Sequence, residues 1–546
     1  MRRRHDFQSI AELYDYSTRK FAKRTAYEFV DGGESLTFAE LNEKCHILSK
    51  KLSNFGISNY DKVALFSQSM PNWAVAFFSI TAFGRIIVPM LTDLTENEVT
   101  NILTHSEAKA LFVSKRLLPK VSQEMRDRLS IIIITDDLSV LKVNDDDYTC
   151  DGTISRPLSD DIAALIYTSG TSGTAKGVML SHRNLCFNVL ASWHCHHVYK
   201  KDVFLSVLPI AHTYEMSVGF LYPFACGAKV CYIQKPPTAS VLIPAFKAVR
   251  PTTMLSVPLI IEKIYRNSVI PTIKKSKFLT WLKGVSPSIL YWLVGFSLKK
   301  TFGGRMKFFG IGGAKLDTEV EAFMRKAHFP YAIGYGLTEA APLICGAGPK
   351  VTKLGSTGKA VHGAKVRLDD INPETGEGEV VVKGDNVMRG YYKDYNRSQT
   401  VLGDDGWLHT GDLATVDRKG RYYIKGRMGS MILGPSGENI YPEEIEGVLN
   451  TMDGVSESLI VERKGRLVAL VQLEDNVLNW NLEGEEKLLQ QMEEKKKAIM
   501  DFVNSRVNKN SNIGGVEFQK EPFNKTATHK IRRFLYKEKK EENKEK

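Results

Sequence analysis

The amino-acid sequence predicts an α/β protein with two domains. The N-terminal domain is large, with several subdomains built on parallel sheets and a small antiparallel β-barrel, and the C-terminal domain is a small, mobile α+β unit. Helix-like and strand-like segments alternate over residues 7–160 and again over 200–345, as is typical of parallel sheets covered by helices. Short strands separated by Gly, Asp and Asn turns occupy residues 355–425 and indicate the antiparallel part. A domain boundary is predicted near Gly426 and Arg427.

The first segments show this alternation, because their apolar residues recur with helical or strand-like spacing. Residues 36–52 predict a helix, and residues 62–66 predict a buried strand. A mostly apolar helix follows over 73–83, then a strand over 86–89 and a β-branched run at 130–135. Strands that are separated by helices in this way are expected to pair in parallel.

After the boundary, residues 427–536 predict a separate small domain. It contains two strand-like runs, 458–461 and 467–471, and one amphipathic helix. Residues 537–546 are Lys, Glu and one Asn only, and we expect them to be a disordered charged tail. The N-terminal domain is therefore predicted over 1–426. The apolar face of the amphipathic helix consists of Leu488, Met492, Ile499, Phe502 and Val503.

The composition is that of a globular protein with a basic surface. The chain has 546 residues, which is longer than a protein with a single hydrophobic core usually is. Its content of 43% hydrophobic and 25% charged residues permits large buried cores. The net charge of +12 suits anionic partners such as nucleotides, coenzyme A or anionic lipid. No recognisable nucleic-acid-binding module accompanies this charge, so we expect no nucleic-acid partner.

Cysteine usage and the start of the chain indicate a cytoplasmic protein. The cysteines are odd in number and follow no pattern, which favours reduced thiols. The basic start is not followed by the apolar stretch of a signal peptide. No apolar run reaches the roughly 18–20 residues that a spanning helix needs. The seven cysteines are Cys45, Cys150, Cys186, Cys195, Cys226, Cys231 and Cys345.

A Gly-, Ser- and Thr-rich loop at residues 167–177 carries the sharpest chemical signal. It follows the apolar run 162–166 and precedes a helix that starts near His182. Its glycines let backbone N–H groups approach an anion, and its hydroxyls and lysine add donors, which indicates a phosphate-binding loop. A flexible linker would lack both the preceding strand and the lysine. The predicted phosphate-binding residues are Thr168, Ser169, Gly170, Thr171, Ser172, Gly173, Thr174 and Lys176.

This loop is not a Walker A loop, since Lys176 lies between Ala175 and Gly177. It resembles the signature loop of the adenylate-forming superfamily, which includes acyl-CoA and aryl-CoA synthetases, peptide-synthetase adenylation domains and beetle luciferases. The proline that usually precedes the lysine in that family is Ala175 here, a change that we expect to affect loop stiffness more than chemistry. The resemblance implies that ATP, Mg²⁺ and, for the CoA-synthetase members, coenzyme A take part.

Two further motifs resemble the adenine-binding segments of this superfamily. The first is 312–315, whose small residues would let the backbone lie against one face of adenine. In the second, 334–339, the resemblance implies that Tyr335 stacks on adenine, Thr338 donates to phosphate and Glu339 holds Mg²⁺. The residues concerned are Gly312, Gly313, Ala314, Tyr335, Gly336, Thr338 and Glu339.

Three motifs near the C-terminus complete the resemblance. It implies that Asp412 accepts hydrogen bonds from both ribose hydroxyls and that Arg427, at the domain junction, also reaches the ribose. The family's catalytic lysine corresponds to Lys530, although its usual preceding glycine is His529 here. In that family the C-terminal domain rotates between the two steps of the reaction. The pivot position is often Asp or Lys, and it is Gly429 in this chain.

The identity of the acid is indicated by residues 208–215, which resemble a motif of long-chain fatty acyl-CoA synthetases. The resemblance places His212 near the carboxylate and pyrophosphate. Residues 274–302 mix Trp, Tyr, Leu and Lys, which suits a membrane interface but equally a buried helix with charged ends. The sequence thus predicts a fatty, long-chain acid as substrate and leaves open a peripheral contact with the inner face of the membrane.

Several alternatives stay open at this point. The acceptor could be the phosphopantetheine arm of an acyl carrier protein in place of coenzyme A, or the acid could be a different one. A non-catalytic binder that kept the fold is disfavoured by the lysine, glutamate and aspartate positions. The histidines within 193–197 lack a second cluster that would complete a zinc site. The oligomeric state is not fixed, and a homodimer is compatible with the sequence.

Overall fold

The structure is a computed structural model that describes residues 5–143, 155–169, 175–433, 439–463, 465–474, 477, 485–526 and 530–536. The charged tail at 537–546 lies outside the described residues. In the first part of the chain the helices are α1 (Ile10–Lys20), α2 (Phe38–Asn54), α3 (Pro71–Thr81), α4 (Glu96–Ser106) and α5 (Gln123–Arg128). The strands there are β1 (Thr25–Phe29), β2 (Ser35–Thr37), β3 (Lys62–Phe66), β4 (Ile86–Met90), β5 (Ala110–Val113), β6 (Ile131–Ile134) and β7 (Val140–Val143).

The middle of the chain continues the alternation. Its helices are α6 (His182–Cys195), α7 (Tyr222–Cys226), α8 (Ala239–Val249), α9 (Pro258–Ile264), α10 (Ile270–Lys275), α11 (Lys277–Val285), α12 (Pro287–Thr301) and α13 (Thr318–Lys326), with a π-helix at Glu215–Leu221. Its strands are β8 (Ile162–Ser169), β9 (Ala175–Ser181), β10 (Val203–Ser206), β11 (Lys229–Tyr232), β12 (Thr253–Ser256), β13 (Phe308–Ile311), β14 (Tyr331–Ile333), β15 (Tyr335–Gly336) and β16 (Leu343–Gly346).

The last part is richer in antiparallel strands. Its strands are β17 (Lys359–Ala360), β18 (Lys365–Asp369), β19 (Gly378–Lys383), β20 (Leu408–Val416), β21 (Tyr422–Arg427), β22 (Ile432–Leu433), β23 (Asn439–Ile440), β24 (Val455–Arg463), β25 (Arg466–Leu473) and β26 (Gly515–Phe518). Its helices are α14 (Tyr395–Val401), α15 (Pro442–Leu449) and α16 (Glu485–Asn504).

Two seven-stranded sheets form the body of the protein. One has the order β14-β13-β12-β10-β11-β1-β2, and the other has the order β7-β6-β5-β3-β4-β8-β9. Pairing within both is mainly parallel, with antiparallel strands at the edges β1/β2, β6/β7 and β8/β9. The predicted α/β fold with parallel sheets is confirmed. Helix α2 begins after Thr37, whose side chain forms a capping box with Glu40.

The antiparallel part includes the predicted range 355–425 but begins before it, because β15 and β16 already pair in antiparallel fashion from Tyr335 onward. Strands β18 to β21 form a four-stranded antiparallel sheet in sequence order, and β15 to β17 form a three-stranded one. A bridge between Gly358 and Tyr422 joins this region to the three-stranded sheet. In the four-stranded sheet, β20 and β21 pair so that Asp412 lies opposite Arg427.

The segment after residue 427 packs around a hydrophobic cluster of its own. Strands β24, β25 and β26 form a mixed sheet, and α15 and α16 contact it. Ile499 and Val503 on α16 are fully buried in this cluster, and Phe502 packs against it, as the helical pattern predicts. Within the described residues, no helix combines the length and the apolar character needed to cross a membrane.

Candidate active site

The two ends of the phosphate-loop motif lie on paired antiparallel strands, β8 and β9. The sequence predicts a strand, a loop and then a helix, and the structure adds a second strand between the loop and α6. Lys176 therefore lies on β9, opposite Thr168 on β8. Gly170, Thr171, Ser172, Gly173 and Thr174 fall outside the described residues, as does the side chain of Ser169.

Lys176 lies against an aromatic ring that the sequence reasoning missed. Its Nζ lies 5.1 Å from the centroid of the Tyr391 ring, a cation–π distance. Partial burial, reinforced by the nearby Arg397, lowers the pKa of Lys176 below its ordinary value, while Glu339 opposes the shift. Tyr391 also donates its hydroxyl hydrogen to Glu339 Oε1 at 2.9 Å. This tyrosine thus connects the predicted phosphate lysine to the predicted Mg²⁺ ligand.

Asp412 is a deeply buried carboxylate, with 5% of its surface exposed. Tyr335 donates its hydroxyl to Asp412 Oδ2 at 2.8 Å, and Arg427 Nε donates to Oδ1 at 3.1 Å. Burial raises the pKa of Asp412 even though Arg427 favours its charged form. Both carboxylate oxygens therefore already accept hydrogen bonds from two other residues of the predicted nucleotide site.

Lys530 lies in the same cleft. It interacts electrostatically with Asp412, Glu339 and Arg427, and the surrounding protein together with Arg427 lowers its pKa below the ordinary value. The backbone N–H of Thr526 donates to Lys530 O at 2.8 Å, and Lys525 forms an antiparallel bridge with Ile531. The segment around Lys530 thus brings its ammonium group near Glu339, which lies 191 positions earlier in the chain.

His212 lies three residues before the π-helix, and the charge of Lys530 affects its pKa. Burial, reinforced by the nearby ammonium of Lys530, lowers the pKa of His212 to about 4. The backbone N–H of Tyr214 donates to His212 Nδ1 at 3.3 Å, so the neutral ring carries its hydrogen on Nε2. At neutral pH this histidine is therefore an uncharged hydrogen-bond donor. Next to it, Thr213 and Thr338 share a hydrogen bond of 3.1 Å between their hydroxyls.

Two glycines of the predicted adenine-binding motifs, Gly336 and Gly313, are required by this backbone. A Cβ added to Gly336 would lie 1.9 Å from the carbonyl oxygen of Pro342. Gly313 has φ +90°, a left-handed conformation that side chains disfavour. A Cβ on Gly312 would meet the Tyr214 ring at 3.3 Å, whereas Gly313 and Ala314 are exposed in the loop after β13.

The structure therefore brings into one cleft the side chains of six motifs that are far apart in sequence. It places Lys530, Glu339, Asp412, Arg427 and Lys176 close enough to interact electrostatically. The roles that the resemblance implies for them remain predictions. Tyr391 belongs to a Gly-Tyr-Tyr run at 390–392, just before α14, which could have marked it as a candidate site residue. Nothing in the sequence, however, places it beside Glu339.

The architecture is that of adenylate-forming enzymes. A crystal structure of the anthranilate CoA ligase AuaEII with anthranoyl-AMP matches with a TM-score of 0.74 at 21% identity, covering 97% of this chain and 96% of that one. O-succinylbenzoate coenzyme A synthetase from Bacillus subtilis, in complex with AMP, matches with a TM-score of 0.75 at 21% identity, covering 96% and 97%. At these identities the match establishes the fold alone.

The chain belongs to the AMP-binding enzyme family, whose model matches residues 14–392. The peroxisomal long chain acyl-CoA synthetase 7 of Arabidopsis thaliana is 28% identical over 521 residues, covering 87% of this chain and 73% of that protein. A chloroplastic long-chain-fatty-acid–acyl-carrier-protein ligase, also from Arabidopsis thaliana, is 25% identical over 562 residues, covering 86% and 77%. The resemblance to the adenylate-forming superfamily is thus confirmed.

Proposed function

We propose that the protein activates a long-chain fatty acid in two steps, first as an acyl-adenylate and then as a coenzyme A thioester. A carboxylate is a poor electrophile because its negative charge repels nucleophiles. In the first step a carboxylate oxygen bonds to the α-phosphate of ATP, and pyrophosphate leaves. In the second step the sulfur of coenzyme A bonds to the acyl carbon, its proton is lost and AMP leaves. A free thiol pKa of roughly 8.5 makes some thiolate available near neutral pH.

An apolar cavity beside the cleft is the observation that supports a fatty acid. Its volume in this structure is about 50 Å³, so a long alkyl chain would have to push its apolar walls apart to enter. Tyr214 and Gly334 line it, and their chain neighbours Thr213 and Tyr335 belong to the cleft. An alkyl chain gains free energy on leaving water, so these walls favour a fatty acid over a small polar acid. Apolar lining residues include Val198, Phe204, Val218, Leu255, Phe308 and Leu343.

The charges of the cleft support ATP as the co-substrate. Lys176, Arg427 and Lys530 all lie near Glu339, an excess of positive charge that suits a polyphosphate. The ammonium of Lys530 would stand between the fatty carboxylate and the α-phosphate, where it offsets the repulsion between two anions. His212, as a neutral donor, would hydrogen-bond the carboxylate or the departing pyrophosphate without adding charge.

Magnesium would be held by Glu339 together with phosphate oxygens. Within the described ranges, no group of three or more His, Cys, Asp and Glu side chains could hold a metal ion. One carboxylate fits Mg²⁺ all the same, because this ion commonly binds through one or two carboxylates plus substrate phosphates. When bound, it neutralises phosphate charge and makes pyrophosphate a better leaving group.

We also propose a division of labour along the chain. Residues 1–426 would bind ATP and the acyl chain, and residues 427–536 would form a lid that carries Lys530 into the cleft and out again. A Cβ added at the proposed pivot Gly429 would meet no atom within 4 Å, so the fold itself does not require glycine there. A cytoplasmic location and a homodimer also stay predictions.

An acyl carrier protein as the acceptor is the second candidate, because a carrier-protein ligase is among the relatives. Release of AMP from preformed acyl-adenylate distinguishes the two acceptors. We expect release to depend on coenzyme A. Release that depends on a phosphopantetheinylated carrier protein and not on coenzyme A would replace the acceptor and leave the adenylation proposal intact.

The test of the adenylation step is pyrophosphate release with ATP, Mg²⁺ and a series of saturated fatty acids of increasing length. We expect release to be highest with long-chain acids and lower with benzoate-like acids. Lys530→Ala should lose most of this activity yet keep transfer from preformed acyl-adenylate to coenzyme A. Normal adenylation by Lys530→Ala would refute the role of the lysine, and a preference for aromatic acids would refute the acyl assignment.

A further inference from the structure

Helices α11 and α12 expose an unusual amount of apolar surface. Phe278 and Trp281 on α11 are 59% and 58% exposed, and Trp292 and Phe296 on α12 are 58% and 62% exposed. Val285 and Ile289 add two more exposed apolar side chains within the same 19 residues. Contiguous apolar patches on soluble proteins usually mark a binding site for a protein, a ligand or a membrane.

The exposed residues repeat with the same spacing on both helices. Phe278, Trp281 and Val285 are related as i, i+3 and i+7, and so are Ile289, Trp292 and Phe296 on α12. Residues with this spacing lie on one face of a helix. On α12 the opposite face is buried, where Leu290, Val294 and Leu298 join the hydrophobic core. The helix is thus apolar on two faces, and only one of them is covered by the protein.

Positive charge surrounds these faces. Residues 274–302 contain six lysines and no Asp or Glu, which equals half of the net charge of +12 carried by the whole chain. Long lysine side chains can lie along an apolar surface while the ammonium group reaches water or a phosphate headgroup. The six are Lys274, Lys275, Lys277, Lys283, Lys299 and Lys300.

The helix pair belongs to the connection between two strands that line the apolar cavity. Strand β12 contributes Thr253 and Leu255 to the cavity wall, and β13 contributes Phe308, Gly310 and Ile311. Everything between these strands, from residue 257 to 307, forms the excursion that carries α11 and α12. The exposed surface is therefore directly attached to the walls of the proposed acyl site.

We propose that the exposed face of α11 and α12 docks on an anionic lipid bilayer, with its aromatic side chains in the interface and its lysines on the headgroups. Amphipathic helices with Trp, Phe and Leu on one side and Lys on the other bind membranes in this way. A second copy of this chain is disfavoured as the occupant, because a two-fold interface would place six lysines against six lysines. The proposal concerns a surface outside the cleft and holds whatever acid is activated. If the acid is a long-chain one, docking would bring the cavity near substrate dissolved in the bilayer.

Vesicle flotation with the full chain tests the proposal. We expect the wild-type protein to float with vesicles of phosphatidylcholine and phosphatidylglycerol, to float poorly with phosphatidylcholine alone, and to be released by high salt. The variant F278A/W281A/W292A/F296A should lose at least tenfold in the apparent partition coefficient. A lysine variant, K274Q/K275Q/K277Q/K283Q, should lose about fivefold for each lysine removed.

Matched controls change the same number of similarly exposed residues elsewhere. An apolar control replaces Leu158, Val351, Ile371 and Leu489 by Ala, and a charge control replaces Lys23, Lys50, Lys350 and Lys353 by Gln. All variants should keep the unfolding midpoint of the wild type, since the substituted side chains are exposed.

Three outcomes would overturn the proposal. The first is a wild-type chain that stays with the buffer at every anionic lipid content. The second is equal losses in the helix variants and their controls. The third is a dimer that forms with increasing protein concentration and dissociates in the aromatic variant, while the wild-type protein binds no vesicles. That result would assign the face to a second copy of the chain. Pyrophosphate release with a water-soluble short acid is measured in parallel, so a failure of the proposed activity is recognised separately.

Discussion

An ion pair formed two residues after Lys530 should control how well this lysine is placed. Arg532, two residues after the lysine, donates Nη2–H to Glu98 Oε1 at 2.8 Å. Glu98 lies on α4 of the N-terminal part and also forms the capping box of that helix with Thr95. Burial opposes ionisation of Glu98, but hydrogen bonds from Thr95 and Arg532 outweigh it and lower its pKa. The pair thus joins the segment that carries Lys530 to the N-terminal part of the protein across 434 residues of sequence.

Glu98→Gln is the perturbation that isolates this pair. Glutamine suits the capping box as well as glutamate does, so α4 should keep its N-terminus. What is lost is the charge that attracts Arg532. The side chains are 26% and 31% exposed, between a surface pair and a buried one, so we assign the ion pair about 1 kcal/mol. That free energy corresponds to about a fivefold change in the population of the orientation seen here.

Separate half-reactions provide the assay. If the lid leaves this orientation for the second step, Glu98→Gln should lower acyl-adenylate formation up to about fivefold. Thioester formation from preformed adenylate should be unchanged or faster, because such a departure of the lid would break the pair before the second step. The double variant E98Q/R532Q should be no worse than the poorer single variant, because both changes remove the same interaction.

The control is Glu34→Gln, which breaks the 2.9 Å pair with Lys44 inside the N-terminal part at comparable exposure. It should leave both half-reactions as they are. Equal losses in both half-reactions of Glu98→Gln, or the same selective loss in Glu34→Gln, would refute the reasoning. Either result would show that the pair does not select one orientation of the segment that carries Lys530.

Two further predictions concern single groups in the cleft. Because the surrounding protein and Arg427 lower the pKa of Lys530, its proton is lost as pH rises at a lower pH than for an ordinary lysine. As the solution is made more alkaline, adenylation should therefore begin to fall at a pH below the ordinary lysine pKa. A pH–rate profile of the residual activity of Lys530→Arg should lack this alkaline fall. An identical fall in that variant would assign it to another group. Tyr391→Phe keeps the ring beside Lys176 but removes the hydroxyl bound to Glu339, so about tenfold more Mg²⁺ should be needed for half-maximal adenylation. An unchanged Mg²⁺ requirement would show that the hydroxyl does not orient this carboxylate.

Much of the fold could be predicted because its signals are local. The strand at 62–66 has the predicted bounds, and the predicted helix at 36–52 is α2 at Phe38–Asn54, shifted to the capping residue Thr37. The second strand of the phosphate-loop hairpin was missed, since Gly177 and the polar residues around it hide its alternation. The π-helix at Glu215–Leu221 was missed as well, because its sequence is indistinguishable from that of an α-helix.

The site was predictable only where a motif carried it. The cavity had no such signal, because its walls come from α6, the π-helix, α7 and strands β10, β12, β13, β14 and β16, each contributing one to three residues. Apolar residues on a buried strand look the same whether they face a neighbour or a cavity. The same limit explains why the exposed faces of α11 and α12 could not be separated from a buried helix before their exposure was known.

The placement of Lys530 shows why chemistry and positioning are unequally visible in a sequence. The lysine belongs to a motif, and the motif is short enough to recognise. We expect its position to depend on the contact between Arg532 and Glu98, which are 434 residues apart. An ion pair can be exchanged for another contact at a different place on the same two surfaces, so no fixed pattern marks it. Such residues can be found only when the two surfaces are seen together, and half-reactions can then separate a residue that reacts from one that positions.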